Sequence, residues 1–325
     1  MPNRRSVLKS AITMLVTGAA VSTVSMSTIA VAKAPFQRLR NPGFYRMKVG
    51  EIEVTALSDG TLNIPLAKVH TNTTEQHAQA ALNAAFQGGS SETSVNSYLI
   101  NNGARLVLID AGSGSYLGPT VGRLIENMVA AGYHPDQVDD VVLTHVHTDH
   151  SGGLIVDGKP AFANATVHVN KRETAFWLET AEDERPGNVP GALFTEAEEC
   201  LAPYIEIGRF RAFDDNSEVL PGLLSILRAG HTSGHSSYVL ENGGEKLVIW
   251  GDITHGDVLQ FDEPDVAIEF DVDQKMAVKS RKIALSEAAD QGYLVAAAHP
   301  SFPGFGHVRR DSTNYDWVPL SYKAN

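Results

Sequence analysis

Cysteine is almost missing from this sequence of 325 residues: Cys200 is the only one. No intrachain disulfide can form. A lone thiol can act as a nucleophile, but Cys200 lies in the Glu- and Ala-rich stretch 191–203, a helix candidate with no histidine beside it. Thiol reactivity needs an electropositive setting, so Cys200 reads as structural. Basic side chains are also scarce, with 26 Lys and Arg against 38 Asp and Glu and a formal net charge of −12. Proteins that grip a phosphate backbone normally present a basic face, so this balance argues against a nucleic-acid partner. Past residue 32 there is no apolar run long enough to span a bilayer, and no Pro/Gly-rich linker or low-complexity tract. The remainder is ordinary for a soluble globular protein, 43% hydrophobic and 20% charged. The length suits one large domain or two small ones.

The N-terminus stands apart. Arg4-Arg5-Ser6-Val7-Leu8-Lys9 opens a charged region, Ala11 to Met26 is moderately apolar, and Ala30-Val31-Ala32 supplies small residues for cleavage, with Ala32-Lys33-Ala34 as the alternative. This is the three-part layout of a secretory signal. The paired arginines resemble a twin-arginine signal, with Asn3 and Val7 as imperfect matches. The expectation is a signal peptide over 1–32, a single domain over 33–325, a periplasmic or secreted location, and no membrane attachment after cleavage.

Against these absences stands a dense cluster, Thr144-His145-Val146-His147-Thr148-Asp149-His150-Ser151-Gly152-Gly153. Imidazole and carboxylate together suit borderline divalent metals, zinc above all, with manganese, cobalt and iron as alternatives. The apolar run Val141-Val142-Leu143 leads in and reads as a buried strand. In an extended chain, residues two apart point the same way. His145 and His147 can therefore grip one metal from one side, while Asp149 and His150, at the turn before Gly152, can face a second.

Three later segments repeat the design of an apolar run followed by a ligand. Leu223 to Leu227 precedes His231, Leu247 to Gly251 precedes Asp252, and Tyr293 to Ala298 precedes His299. Functional residues gather on loops at strand ends. Four such ends on one edge predict a site for two ions: His145, His147 and His231 on one, Asp149, His150 and His299 on the other, and Asp252 bridging them.

Elsewhere, 51–56 and 94–100 read as strands, Thr73-x-x-Gln76 as a capping box before an Ala-rich helix to Phe86, and Val121, Leu124, Ile125, Met128 and Val129 as a helical face. Residues 170–181 and 274–291 are further helix candidates, and 182–188 is a charged loop between helices. Strands with interspersed helices, repeated in two halves, suit two packed sheets with helices outside.

These ligand runs, with Leu106-Val107-Leu108-Ile109-Asp110-Ala111-Gly112 and Gly230-His231-Thr232-Ser233-Gly234-His235, resemble the metallo-β-lactamase superfamily over nearly the whole chain past the leader. The resemblance implies an αβ/βα sandwich of two mixed β-sheets flanked by helices, and a hydrolase. Gly43-Phe44-Tyr45-Arg46-Met47, Thr71-Asn72-Thr73-Thr74, Glu92-Thr93-Ser94-Val95 and Ser301 to His307 are most similar to the methyl parathion hydrolase group and its relatives that open aryl lactones and esters. Trp177 and Phe194 match aromatic positions lining the substrate pocket there, and Leu117 stands where a pocket aromatic does. Ile268 and Phe270 differ from that group's pocket residues, and His255 replaces an apolar residue three places after the bridging Asp252. The resemblance also implies a homodimer, and assigns His231 rather than His235 as ligand, leaving His235 to orient a ligand.

Two ions sharing a water would lower its pKa from about 15.7 toward about 7. Asp149 and Asp252 would then shape the catalytic centre. His255 has two readings, a donor to the leaving oxygen or a lining residue without a chemical role. Trp177, Phe194, Leu117 and Phe270 are candidate substrate contacts. Asp110 is expected to hydrogen bond beneath the site, and His70, His77, His134 and His168 to be surface or helix-end residues. The expected activity is cleavage of aryl lactones or esters, with organophosphate triester hydrolysis on the side. Acyl-homoserine lactone hydrolysis, a methyl parathion hydrolase-type phosphotriesterase and a metal-binding protein without turnover are the alternatives.

Overall fold

Alternating side chains along each strand divide the apolar residues between an inner and an outer core, because successive residues point to opposite faces. Val107, Ile109 and Val142 face one way, and Leu106, Leu108 and Val141 the other. In the second half of the chain Leu247 and Ile249 oppose Val248, and Ala296 opposes Val295. A computed structural model describes residues 34, 36, 40–88 and 92–323. The segment expected to be a signal peptide lies outside them. Residues Pro42–Asn325 form one compact unit.

The strands make two seven-stranded sheets. The first runs, edge to edge, Phe44–Val49, Ile52–Asn63, Glu92–Asn101, Leu106–Ile109, Asp140–Val142, Thr166–Asn170 and Phe210–Phe213. The second runs Glu218–Leu220, Leu223–Leu227, Ser236–Asn242, Glu245–Ile249, Leu294–Ala296, Phe305–Asp311 and Asn314–Pro319. Both mix parallel and antiparallel pairs. Their inner faces share one core, which includes Val54, Tyr98 and Ile109 from the first sheet and Tyr238, Leu240 and Phe305 from the second. On the outer face of the first sheet lie the helices Leu124–Ala130 and Gly191–Glu206, and on that of the second lies Gln274–Gln291. This is the αβ/βα sandwich of the metallo-β-lactamase fold. Among the described residues no helix is long and apolar enough to cross a membrane.

Several local expectations change. The helix Glu75–Ala84 is capped by Thr74, whose side chain accepts from the His77 amide, so Thr73 and Gln76 form no capping box and the helix ends before Phe86. Val121 precedes the helix Leu124–Ala130 instead of joining it. The stretch after Asn170 is one α-turn, Lys171–Thr174, followed by a wider π-turn, Ala175–Glu179. Cys200 is buried in the first outer core, and burial pushes its thiol up to about 11.

Candidate metal centre

Parallel pairing brings the functional loops together. Leu106–Ile109 runs parallel to Asp140–Val142 in one sheet, and Glu245–Ile249 to Leu294–Ala296 in the other. The loops after each pair therefore emerge side by side, carrying Asp110 with His145 to His150, and Asp252 with His299. The turns into His231 and Asp252 are tight. Gly230 and Gly251 have φ of 132° and 62°. A Cβ at Gly230 would lie 2.0 Å from the Ala277 amide nitrogen, and one at Gly251 would lie 2.6 Å from His235 Nε2. Only glycine fits both the conformation and the space.

Seven side chains converge. His147 Nδ1 lies 3.1 Å from His145 Nε2 and 2.9 Å from His231 Nε2. His150 Nε2 lies 3.4 Å from Asp149 Oδ2, and His299 Nε2 lies 3.5 Å from the same oxygen. Asp252 joins the two groups. Its Oδ1 is 3.2 Å from His150 Nε2, and its Oδ2 is 2.9 Å from His299 Nε2 and 3.2 Å from His231 Nε2.

The outer ring nitrogens are already committed. His150 Nδ1 donates to Asp110 Oδ2 at 2.8 Å, His231 Nδ1 to Asp271 Oδ1 at 2.9 Å, and His299 Nδ1 to the Ser94 carbonyl at 2.8 Å. His145 Nδ1 faces Thr144 Oγ1 at 3.0 Å, and that hydroxyl donates to Asp110 Oδ2. With protons outside, the inner nitrogens are lone pairs aimed at one another and at carboxylate oxygens. Buried His150 Nε2, Asp252 Oδ1 and His255 Nε2 have no hydrogen-bond partner. An unmet buried polar atom costs about 1–3 kcal/mol. Divalent cations answer this donor set, since they bind neutral imidazole and carboxylate together.

Without cations, protons stand in. Burial works to lower the His231 imidazole, but the Asp252 and Asp271 carboxylates outweigh it and raise the ring to about 9. His150 is held well above its ordinary value against burial by Asp252, Asp149 and Asp110. Burial, helped by His231, takes His147 down to about 3.

His235 stays outside the cluster. Its Nε2 accepts from the Asp252 amide at 2.9 Å and its Nδ1 donates to the Arg228 carbonyl at 3.2 Å. Burial first, then His231, lowers it to about 3. It is a neutral ring that holds the Asp252 backbone. His255 is buried with Nε2 3.3 Å from Asp252 Oδ2. Gln260 Oε1 accepts from the His255 amide at 2.7 Å and faces its Nδ1 at 3.3 Å, which places the proton of the neutral ring on Nδ1. Burial lowers this imidazole.

Two histidines expected at the surface are inside. His70 is buried, donates from Nδ1 to the Leu66 carbonyl at 2.7 Å, and leaves Nε2 without a partner. Burial first, then His255, lowers it to about 4. His168 is buried against Asp140, Nε2 to Oδ1 2.8 Å, within the first sheet. His77 and His134 are exposed as expected. His307 lies on the strand Phe305–Asp311 and is exposed.

Three supports had no signature in the sequence. Asp59 accepts from the amides of Ser113, Gly122 and Leu124 and ties down the loop after Asp110. Asp271 orients His231 and lies 3.8 Å from the buried Arg281. Glu173 is buried beneath the histidines.

A cavity of about 830 Å³ opens onto both ligand groups and His255. Leu117, Val189, Leu193, Phe270 and Val272 give it a largely apolar wall, and Glu269 is also part of it. Among the described residues that line it there is no Lys or Arg. Leu117 and Phe270 are 38% and 40% exposed there. Trp177 and Phe194 are not on this wall. They are 2% and 1% exposed, packed with ring centroids 5.0 Å apart, and Trp177 stands edge-on to His147 at 5.5 Å.

The overall likeness to solved proteins is broad. The hydrolase AbOPH of the beta lactamase superfamily superposes with a TM-score of 0.82 at 35% identity, over 88% of this chain and 100% of that one. AidC, a dizinc quorum-quenching lactonase solved with the product N-hexanoyl-L-homoserine, gives 0.79 at 26% identity, over 87% and 99%. An N-acyl homoserine lactonase of Bacillus thuringiensis is 26% identical over 119 residues, 37% of this chain and 39% of the lactonase. The chain thus spans about two fifths of the length of that curated relative. Residues 91–317 match the Metallo-beta-lactamase superfamily model. With its ligand groups, its two-sheet sandwich and this match over most of its length, the chain belongs to the metallo-β-lactamase superfamily.

Proposed function

We propose that this protein hydrolyses uncharged lactones and esters bearing an apolar substituent, aryl lactones first, with two divalent ions held by His145, His147, His231, Asp149, His150, His299 and the shared Asp252. Zinc is the first candidate, as in dizinc AidC. The observation that carries this reading is the cavity. It opens on both ligand groups, its wall is mostly apolar, and no Lys or Arg lines it among the described residues. A β-lactam carboxylate held away from the ions would bring a charge that no Lys or Arg on this wall neutralises. The complete ligand set argues against a protein that binds metal without turnover.

When bound, the ions acidify a water and polarise the substrate carbonyl. The chain's own residues do the rest. The apolar wall takes the substituent and excludes bulk water. His255, neutral with its proton on Nδ1, offers the Nε2 lone pair beside Asp252. It accepts the proton that the water gives up as its oxygen bonds to the carbonyl carbon. As the ring C–O bond breaks, it returns that proton to the departing oxygen. This replaces the simpler role of a resting donor. Phosphotriester cleavage is a slower side reaction of the same centre.

The likeness to AidC favours a second reading, acyl-homoserine lactones. A panel of aryl lactones, acyl-homoserine lactones of short and long chain, aryl esters, phosphotriesters and a β-lactam separates them. Aryl lactones should be fastest. A steep dependence on acyl length would move the assignment to the second reading, and cleavage of β-lactams without lactones would overturn both. Export through the N-terminal segment and a homodimer complete the proposal, and cell fractionation and light scattering test them.

A further inference from the structure

Glu173 belongs to no ligand run, yet it is 0% exposed. A buried carboxylate must be met by hydrogen bonds, and three of its partners form a pattern. Oε2 accepts from the Val146 amide at 3.0 Å and from Trp177 Nε1 at 2.9 Å, and Oε1 accepts from the Gly234 amide at 2.6 Å. Val146 lies between His145 and His147. Trp177 is the ring that stands edge-on to His147. Gly234 is in the turn that begins at His231. One oxygen therefore serves the loop of His145 and His147, and the other serves the loop of His231. None of these bonds leads to Asp149, His150 or His299; His150 is held by Asp110 and His299 by the Ser94 carbonyl.

We infer that Glu173 is the positioning residue for one cation alone, the one held by His145, His147 and His231, and that it works by tying two loops with its two oxygens. The inference rests on the dinuclear reading above. A carboxamide cannot replace it: Gln offers one acceptor oxygen, and its NH₂ would meet an N–H donor on the other side. One loop is then released, while the Asp149, His150 and His299 group keeps its own supports.

The test is a zinc and cobalt titration of the metal-stripped full chain, read by elemental analysis and by cobalt absorption, for wild type and Glu173→Gln. Wild type should bind two ions. Glu173→Gln should keep one at wild-type affinity and weaken the other by about 10–100-fold, the range for lost ligand-orienting partners. Equal weakening of both ions, or of neither, overturns the inference while leaving the dinuclear reading intact. A wild type that binds fewer than two ions instead defeats that reading. Should Glu173→Gln not fold, Glu173→Asp carries the test. It keeps the charge on a side chain one methylene shorter, which cannot reach the Val146 and Gly234 amides together, so the same ion alone should weaken, and two unchanged ions or equal weakening of both overturn the inference.

Discussion

Asp110 Oδ2 accepts from His150 Nδ1 at 2.8 Å, and Asp110 itself sits at φ 61° just past the strand Leu106–Ile109. The same carboxylate receives the Thr144 amide at 2.7 Å and the Thr144 hydroxyl at 2.8 Å. It anchors the entry to the histidine cluster and fixes which nitrogen of His150 faces inward. Asn tolerates this left-handed backbone, so Asp110→Asn should fold. The expected result is about 10–100-fold weaker binding of the ion on the His150 side, measured by metal titration. Wild-type affinity for both ions would remove Asp110 from the account.

His255→Leu removes the proton carrier and keeps the apolar volume. Lactone kcat should fall by about 10²-fold, the lower end for general acid–base catalysis, while phosphotriester turnover holds or rises. Steady-state kinetics on both substrates decide it. Unchanged values on both would make His255 a lining residue only.

Phe270 is 40% exposed on the cavity wall, so Phe270→Ala should leave thermal stability nearly unchanged. It removes apolar contact shared by substrate and transition state, which raises KM and spares kcat. An apolar loss of about 1 kcal/mol predicts roughly a fivefold higher KM for aryl lactones. A collapse in kcat with constant KM would contradict a wall role.

The ligand runs were legible because each follows an apolar strand and because strand ends collect function. Asp110 was legible as a support at the end of its strand, but three others were not, since Asp271 meets His231 across 40 positions, Glu173 meets Gly234 across 61, and Asp59 meets Leu124 across 65. No short-range pattern links such pairs. The sandwich followed from the order of elements and the family likeness, but helix ends shifted where a neighbouring residue did better. Thr74 displaced Thr73 as cap because its side chain reaches the His77 amide. Trp177 and Phe194, named as substrate contacts by likeness, pack into the core behind His147.

Metal affinity should depend on pH. His231 keeps its proton up to about pH 9 in the metal-free protein, raised from 6.5, whereas a cation needs that ring unprotonated. Below about 9 the proton competes, so affinity at this group should rise with pH, by about tenfold per unit for one displaced proton, and level off above. The metal-free fold has the opposite sign. Its raised pKa adds stability that is whole below 6.5 and is lost as pH climbs through about 9. Metal titrations and thermal melts across this range check both, and flat profiles would contradict the role given to Asp271 and Asp252.

The central claim is that seven side chains enclose two cations joined by Asp252. Elemental analysis of the purified chain and of Asp252→Ala tests it most directly. The account predicts two divalent ions per wild-type chain, removed by a chelator together with lactone hydrolysis, and less than one per chain in the variant. One ion or none in fully active wild type, or two in Asp252→Ala, would contradict it.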